Sequence, residues 1–156
     1  MKKQITLLFF LFSITALFSQ TIFKAKVVGI KDGDTVVVLD SLNNQTTLRL
    51  AEVDCPEKSQ PFGTKAKQFT SDQIYLKTIK YTITDIDRYG RSIAMNYYDS
   101  DNKYLSAQLI KAGLAWHYKK YSTSIELAEF ETTAQKYKIG LWYDENPIEP
   151  SKWRKK

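Results

Sequence analysis

RLAEVDCPE, at residues 49–57, places the Arg49 guanidinium and the carboxylates of Asp54 and Glu57 around the end of one predicted strand. Arg49 lies inside an otherwise apolar run, and Asp54 closes that run. Pro56 then turns the chain, because its ring fixes φ and removes an amide donor, and Glu57 follows the turn. Charged groups of this kind make a poor hydrophobic core, but they are well suited to hold a metal ion beside a phosphate group.

Four further strands are predicted around this segment. A half-buried strand alternates apolar and polar residues, and buried strands are rich in β-branched residues. By these criteria the predicted strands are Ile22–Ile30, Thr35–Leu39, Thr46–Val53, Ile79–Asp85 and Ser92–Tyr98. Short turns rich in Asp, Gly and Asn join the first three strands, which predicts an antiparallel meander.

Two helices are predicted between these strands and directly after them. The first runs from Thr64, a candidate N-cap, to about Leu76. The second covers Leu105–Ala112 and ends at Gly113, because glycine adopts the left-handed conformation of a helix cap at little cost.

A third helix and a tail complete the chain. Thr123 and Glu126 have the spacing of a capping box, which predicts the start of the helix, and Gly140 is predicted to end it. Residues 144–156 contain two prolines and a basic end, so we expect a mostly irregular C-terminal tail.

The order of these elements predicts the fold. Five short strands with a helix between the third and the fourth form the order expected of an OB-type barrel. We therefore predict an α+β, β-rich fold, a five-stranded OB-fold barrel with three packed helices, although an open sheet would also fit the pattern. The 156 residues suffice for one domain rather than two. We expect that domain to cover residues 20–143.

The first 19 residues are typical of a targeting signal. Lys2 and Lys3 form a short basic start, and residues 5–18 are apolar apart from three hydroxyl side chains. This run falls short of the ~20 residues that a membrane span needs. We therefore predict a signal peptide cleaved near Ser19–Gln20 and a secreted or periplasmic protein, with an uncleaved membrane anchor as the alternative.

Composition sets only weak limits on function. Without Lys2 and Lys3 the chain keeps 21 basic residues against 17 acidic ones, a net charge of +4. Such an excess favours polyanions such as nucleic acid, but many soluble proteins carry as much. Cys55 is the only cysteine, so no internal disulfide can form.

Acidic and basic side chains gather at the ends of the predicted strands. Asp34 opens the second strand, and Asp54 and Glu57 follow the third. Arg49 lies within the third strand, and Arg91 precedes the fifth. Carboxylate oxygens without histidine or cysteine partners predict a hard cation, calcium or magnesium, rather than zinc. Arginine adds planar paired donors that match phosphate oxygens.

These residues fall within short motifs that follow one another in a set order. The motifs are Asp32-Gly33-Asp34-Thr35, the segment Arg49–Glu57, Asp87-Arg88-Tyr89-Gly90-Arg91, Gly113-Leu114-Ala115 and Gly140-Leu141-Trp142. Together they resemble the staphylococcal (thermonuclease-like) nuclease family, over about residues 22–143. The resemblance implies a five-stranded OB barrel with three helices, the fold already favoured by the pattern.

The resemblance also implies a reaction. The expected protein is a calcium-dependent, sugar-nonspecific nuclease that hydrolyses phosphodiester bonds of DNA and RNA and leaves 3′-phosphate ends. It would act as a monomer without an obligate protein partner. Asp34 and Asp54 would bind Ca²⁺, with the backbone carbonyl of Cys55 as a third ligand.

Three further residues acquire catalytic roles from the same resemblance. Glu57 would orient or deprotonate the attacking water. Arg49 and Arg91 would bind the scissile phosphate and stabilise the charge that develops on it, which is usually the largest contribution to catalysis in such sites.

Substrate contacts are predicted beyond this set. Tyr89 has a counterpart in the family, and Arg88 is expected to steer phosphates. Tyr118 and Tyr121 offer rings on which bases can stack, although packing is the alternative role for them. Lys119 stands where the prototype of the family carries a tyrosine that borders the substrate pocket.

Three residues have no settled role in this scheme. Relatives commonly carry an apolar residue at the position of Glu52, which is either solvated here or alters the charge near the site. His117 is the only histidine, and a lone histidine is more often structural than catalytic. Asp32 precedes a glycine, so it is more readily a turn former than a ligand.

Two other classes of function also fit the sequence. Family members with a degraded site act as binding domains, so a catalytically weak nucleic-acid-binding OB-fold module is the main alternative. The presence of all five of Asp34, Arg49, Asp54, Glu57 and Arg91 argues against it. The other is a membrane-anchored interaction protein held by residues 5–18.

Overall fold

A computed structural model describes residues 21–155, which form a closed barrel flanked by helices. The predicted signal peptide, residues 1–19, lies outside the described residues. The strands are β1 (Phe23–Asp32), β2 (Thr35–Leu39), β3 (Gln45–Leu50), β4 (Val53–Asp54), β5 (Thr78–Ile86), β6 (Ser92–Tyr98), β7 (Lys103–Tyr104) and β8 (Trp116–His117). The helices are α1 (Gly63–Ile74), α2 (Leu105–Lys111), α3 (Ile125–Lys136), a 3-10 helix (Gly140–Tyr143) and α4 (Pro150–Trp153). Within residues 21–155 no helix has the length and apolar character needed to cross a membrane.

Five strands close into the barrel. Antiparallel pairing joins them in the order β3, β2, β1, β5 and β6, and the parallel pairing of β3 with β6 closes the ring. In that closing pair Arg49 lies opposite Ile93 and Leu50 lies opposite Ala94. The predicted five-stranded OB-type barrel with three longer helices is therefore confirmed, and the open sheet is excluded.

The alternating strand residues fill the barrel. Val36, Val38, Leu48 and Leu50 are each at most 1% exposed, because every second side chain of β2 and β3 points inward. Burial of one such side chain contributes about 1.5–3 kcal/mol relative to leaving it in water. Helices α1 and α2 add further apolar side chains to the same core.

The third strand is shorter than predicted, and its break positions Asp54. The expected strand Thr46–Val53 ends at Leu50, and the chain resumes as the separate strand β4. Glu52 lies between them in the left-handed region, with φ 68°. This turn takes β4 out of the barrel sheet, so that Val53 pairs with His117 of β8 instead. Sequence alternation cannot detect such a break, because the residues on both sides of it are apolar.

Helix α1 begins one residue before the predicted cap. Gly63 is the first helical residue and Phe62 is the cap, with φ 69°, so Thr64 lies inside the first turn. A Cβ atom on Gly63 would overlap the backbone carbonyl oxygen of Glu57. The start of the helix is therefore pressed directly against the loop that carries Glu57.

Helix α3 also differs from the prediction at both ends. Ser124, rather than Thr123, caps it, and the Ser124 hydroxyl accepts a hydrogen bond from the Leu127 amide at 3.2 Å. The helix ends at Lys136, and Gly140 opens the 3-10 helix instead of ending α3. Helix α2 matches its prediction, since Gly113 follows it with φ 62°.

The C-terminal tail contains a short helix and packs against the domain. Its anchor is α4, in which Pro150 is buried. Ile148 and Trp153 line an apolar pocket together with Pro56 and Phe62. The tail therefore returns to the loop between β4 and α1, which carries Glu57.

Candidate active site

One cleft at the mouth of the barrel brings the separate sequence motifs together. The residues that line it come from the β1–β2 turn, the end of β3, β4, the β5–β6 loop and the segment after β8. Its charged and aromatic lining residues are Asp32, Asp34, Arg49, Glu52, Asp54, Glu57, Asp85, Asp87, Arg88, Tyr89, Arg91, Tyr118, Tyr121 and Arg154. All five residues with predicted metal or catalytic side chains lie in this cleft.

Arg49 forms the centre of the charged cluster. Its Nη2 atom lies 3.1 Å from Asp34 Oδ2 and 3.0 Å from Asp54 Oδ1, while Nη1 donates to the Leu50 carbonyl at 2.8 Å. Burial of the guanidinium lowers its pKa, but the charges of Asp34 and Asp54 more than offset this, so the pKa of Arg49 is raised. Oxygens of both aspartates therefore converge on one nitrogen of a permanently charged group.

Hydrogen bonds orient Asp34. Its Oδ2 accepts from the Cys55 amide at 2.7 Å, and its Oδ1 accepts from the Thr35 hydroxyl at 3.2 Å. The Asp34 amide donates to Asp32 Oδ1 at 3.3 Å, which is the turn-forming contact expected of Asp32. Burial, and then the nearby charge of Asp34, raise the pKa of Asp32 to about 6. These bonds tie the β1–β2 turn to β4.

Asp54 and Cys55 are both buried in β4 or next to it. Burial raises the pKa of Asp54, against the hydrogen bond from Arg154 and the charge of Arg49, which both favour the carboxylate. Burial also raises the pKa of the Cys55 thiol well above its usual value. The thiol therefore stays protonated near neutral pH and is a poor nucleophile, which leaves the backbone of Cys55 as its means of taking part in the site.

Asp87 holds Arg91 in the cleft. Its Oδ2 lies 2.7 Å from Arg91 Nε, and its Oδ1 accepts from the amides of Tyr89 and Arg91 at 2.9 and 3.0 Å. Arg91 Nη1 also donates to the Thr35 hydroxyl at 3.4 Å. The positioning role of Asp87 was missed from the sequence, although an aspartate that precedes a glycine turn and an arginine was a usable signal.

Tyr89 projects into solvent between two cations. Its side chain is largely exposed, and the Arg88 and Arg91 guanidinium carbons lie 5.4 and 5.6 Å from its ring centroid. Each arginine can therefore contact the ring face. The loop presents an accessible aromatic surface beside two permanent positive charges.

A second aromatic wall follows β8. The rings of Tyr118 and Tyr121 meet edge to face with centroids 4.9 Å apart, and both residues line the cleft. Lys119 does not belong to the cleft lining of the described chain, because its Nζ lies 2.6 Å from Glu131 Oε2 on α3. The structure thus gives Lys119 an ion-pair partner on α3, and its substrate contact stays a prediction.

Glu57 is held by residues that the sequence did not single out. Its amide donates to Gln60 Oε1 at 3.1 Å, and Gln60 Nε2 donates to the Ile148 carbonyl at 2.5 Å. Arg154 lies 2.5 Å from Glu57 Oε1. No local pattern in the sequence pointed to Arg154, because it lies about 100 residues from its partners in a tail expected to be irregular.

The donor set has the oxygen chemistry that a hard cation prefers. Among residues 21–155, no three His, Cys, Asp or Glu side chains form a cluster that could bind a metal. The set implied by the family resemblance contains only two such side chains, Asp34 and Asp54, together with a backbone carbonyl. Oxygens of both aspartates lie within 3.1 Å of one nitrogen of Arg49, so the two carboxylates are close enough to share one cation. The remaining coordination positions would fall to water and phosphate oxygens.

Glu52 anchors the second aromatic wall. Its Oε1 accepts from the Ser122 hydroxyl at 2.7 Å and its Oε2 from the Tyr104 hydroxyl at 2.9 Å. Its backbone carbonyl accepts from the Tyr118 amide at 2.8 Å. Glu52 is therefore not simply a solvated residue, because two hydroxyl groups bind its carboxylate; it ties the start of β4 to the segment that carries Tyr118 and Tyr121.

His117 belongs to the same network. Its Nε2 lies 2.8 Å from the Ser122 hydroxyl, and its amide donates to Glu131 Oε1 at 2.9 Å. Burial lowers the pKa of His117, so the ring is neutral at pH 7. The structural role expected of the lone histidine agrees with this position.

We expect the Glu52 side chain and its backbone conformation to have separable effects on stability. Glu52→Ala removes the acceptor of two hydroxyl donors and should lower the free energy of unfolding by about 1–3 kcal/mol. Glu52→Gly removes the same acceptor, but relieves a left-handed cost of about 1 kcal/mol, so it should be the milder change. Denaturant unfolding of both variants measures the difference. Equal losses would show that the left-handed cost at residue 52 is no larger than the entropy that glycine adds to the unfolded chain.

Comparison with known proteins identifies the family. The family model described as "Staphylococcal nuclease homologue" matches residues 47–144. An "Uncharacterized endonuclease" of Haemophilus influenzae is 41% identical over 99% of this chain and 85% of its own length. A "Micrococcal nuclease" of Shigella flexneri is 38% identical over 85% of this chain and 81% of its own length. An "Uncharacterized endonuclease" of Escherichia coli O157:H7 is 34% identical over 99% of this chain and 98% of its own length. This chain therefore belongs to the family of staphylococcal nuclease homologues.

Proposed function

We propose that this protein is a calcium-dependent nuclease that hydrolyses phosphodiester bonds in both DNA and RNA and acts as a monomer. One observation carries the proposal: Asp34 and Asp54 converge on Arg49 in a cleft that also presents Arg91 and Glu57. Membership of the family and the nuclease names of the similar proteins support the class of reaction.

Asp34 of the β1–β2 turn and Asp54 of β4 would hold the metal ion. Asp34 and Asp54 would supply carboxylate oxygens, and Cys55 would supply its carbonyl oxygen. A bound ion polarises a phosphate oxygen and neutralises charge that develops on it. A hard oxygen donor set of this size suits Ca²⁺, which tolerates irregular coordination completed by water.

The arginines and Glu57 would act on the phosphate and on water. Arg49 and Arg91 are fixed by carboxylates on one side, so their remaining N–H groups can bind the nonbridging phosphate oxygens. Glu57 would orient a water molecule and accept its proton. The water oxygen then bonds to phosphorus while the bond to the 5′ oxygen breaks. The products are a 3′-phosphate and a 5′-hydroxyl, which takes its proton from solvent.

The aromatic residues supply binding that does not depend on base identity. Tyr89 on one side and Tyr118 with Tyr121 on the other offer ring faces and edges for stacking. Every base has a π face, so such contacts tolerate any sequence. Neither rings nor phosphate-binding arginines distinguish a ribose from a deoxyribose, which supports activity on both nucleic acids.

We also propose that residues 1–19 direct export and are removed. N-terminal sequencing of the exported protein tests this directly. A start near Gln20 would agree with the proposal, and a start at Met1 would favour a membrane anchor instead.

Cleavage assays across divalent ions test the proposed reaction. We expect the purified mature protein to degrade single-stranded DNA and RNA with Ca²⁺, to leave 3′-phosphate ends, and to lose activity when a chelator is added, because the charge on the phosphate is then no longer neutralised. Equal rates with and without chelator would overturn the metal assignment. Binding without cleavage under every ion would favour the nucleic-acid-binding module.

A further inference from the structure

The C-terminal tail places a third guanidinium in the cleft. Arg154 Nη2 lies 2.9 Å from Asp54 Oδ2, and its Nη1 lies 3.3 Å from Asp54 Oδ1. The same Nη1 lies 2.5 Å from Glu57 Oε1. The Arg154 side chain therefore binds Asp54 through both Nη atoms and links Asp54 to Glu57.

The contact of Arg154 with Asp54 and Glu57 depends on the packing of the C-terminal tail against the domain. Gln60 Nε2, in the Glu57 loop, donates to the Ile148 carbonyl at 2.5 Å, and Trp153 Nε1 donates to the Ser59 hydroxyl at 3.2 Å. Ile148 and Trp153 also line the apolar pocket formed with Pro56. Two hydrogen bonds and an apolar contact thus hold the tail, at Ile148 and Trp153, against the same loop that carries Glu57. A tethered group of this kind has a high effective concentration at its site.

Arg154 neutralises the same charges that a metal ion would. Asp54 is one of the two proposed metal-binding carboxylates, and Glu57 is the proposed partner of water. Burial works against the charge of Arg154, but hydrogen bonds to Asp54 and Glu57 outweigh it and raise its pKa. Arg49 also contacts Asp54 Oδ1, so two cations share the Asp54 carboxylate. Like charges repel at these distances, so a divalent ion and the guanidinium compete for Asp54.

The two arginines differ in how readily they can leave. The side chain of Arg49 is only 11% exposed, so it cannot move its charge from the aspartates into solvent. The side chain of Arg154 is 43% exposed, so it can swing into solvent with little cost in hydration. Arg154 is therefore the arginine that a metal ion would displace from Asp54.

We propose that Arg154 is a built-in competitor of the metal ion: it occupies Asp54 and Glu57 in the ion-free protein and is displaced when the ion binds. This inference rests on the proposed metal dependence. The tail would then set how much Ca²⁺ the enzyme needs and would keep Glu57 from acting on water until the ion arrives.

Calcium titration calorimetry on three proteins tests the competition. The proteins are the wild type, Arg154→Gln, and the control Lys152→Gln. The control removes one charge from the same tail, at a residue whose Nζ lies 3.4 Å from Glu149 Oε1. We expect Arg154→Gln to bind Ca²⁺ about tenfold more tightly than the wild type, and Lys152→Gln to bind as the wild type does. Half-maximal cleavage should shift to lower Ca²⁺ by the same factor in Arg154→Gln alone. Detectable binding only in Arg154→Gln would be the strongest form of the expected result.

The contrary outcomes separate the two proposals. Equal or weaker Ca²⁺ binding by Arg154→Gln, with a wild type that binds, would overturn the competition and leave the calcium-dependent nuclease intact. Absence of Ca²⁺ binding in all three proteins would overturn both the competition and the metal dependence. Thermal unfolding in chelator shows that each variant is folded before it is titrated.

Discussion

Replacement of Arg49 by lysine is expected to lower kcat/KM for DNA cleavage by about 10²–10³-fold. Lysine keeps the positive charge but lacks the planar fork, and only the fork reaches the Leu50 carbonyl and both aspartates at once. A lysine could therefore balance the charge of Asp34 and Asp54 without holding a phosphate oxygen in place. Steady-state kinetics on single-stranded DNA at saturating Ca²⁺ measures the loss.

A stability control separates catalysis from folding in this variant. Removal of one partner from a nearly buried charge pair can cost about 3–5 kcal/mol, so Arg49→Lys has to be shown to be folded at the assay temperature. Circular dichroism and thermal unfolding provide that check. Wild-type kcat/KM in a folded Arg49→Lys protein would remove the guanidinium from the mechanism.

Replacement of Glu57 by glutamine is expected to lower kcat by about 10²–10⁴-fold while leaving nucleotide binding in place. Glutamine has nearly the same shape, so the Glu57–Gln60 loop and α1 should remain folded. It cannot accept a proton, and it loses the charge that pairs with Arg154. Single-turnover cleavage measures the rate, and calorimetry with a 3′,5′-bisphosphorylated nucleotide in Ca²⁺ measures binding.

The matched control for this variant is Glu129→Gln, an exposed position on α3. It makes the same chemical change away from the cleft and should leave both rate and binding unchanged. Retained wild-type turnover in Glu57→Gln would exclude Glu57 as the group that handles water. Loss of nucleotide binding together with turnover would instead assign Glu57 to substrate binding.

Local sequence patterns predicted most of the barrel. The bounds of Thr35–Leu39 and Ser92–Tyr98 agree with β2 and β6, because alternation and β-branched residues record which face of a strand is buried. Predictions failed at single positions where one backbone angle decides the path, such as Glu52 and Phe62. A left-handed glutamate or phenylalanine is set by tertiary contacts and contradicts local preference, so the sequence carries little sign of it.

In the candidate site, too, some residues were predicted from the sequence and others were missed. Asp34 and Asp54 were predicted because they stand at a turn and a strand end, and Arg49 because it is a charge within an apolar strand; the barrel brings both aspartates within 3.1 Å of Arg49. Gln60 and Asp87 were missed because they act by positioning other residues through hydrogen bonds, not by contacting a ligand themselves. Lys119 was placed by alignment with the family, and its ion pair with Glu131 depends on how α3 packs against β8.

By itself the amino-acid sequence determined the number and order of the barrel strands, the residue types of the site, and the turns that present Asp34 and Glu57. These features depend on backbone preferences and side-chain periodicity over fewer than about ten residues. Only the tertiary structure decided the closure of β3 on β6, the bond from Ser122 to Glu52 across 70 residues, and the reach of Arg154 into the cleft across 100 residues. Such contacts form only after the barrel has closed and the tail has docked, because a charged side chain pairs with whichever opposite charge the fold brings near it.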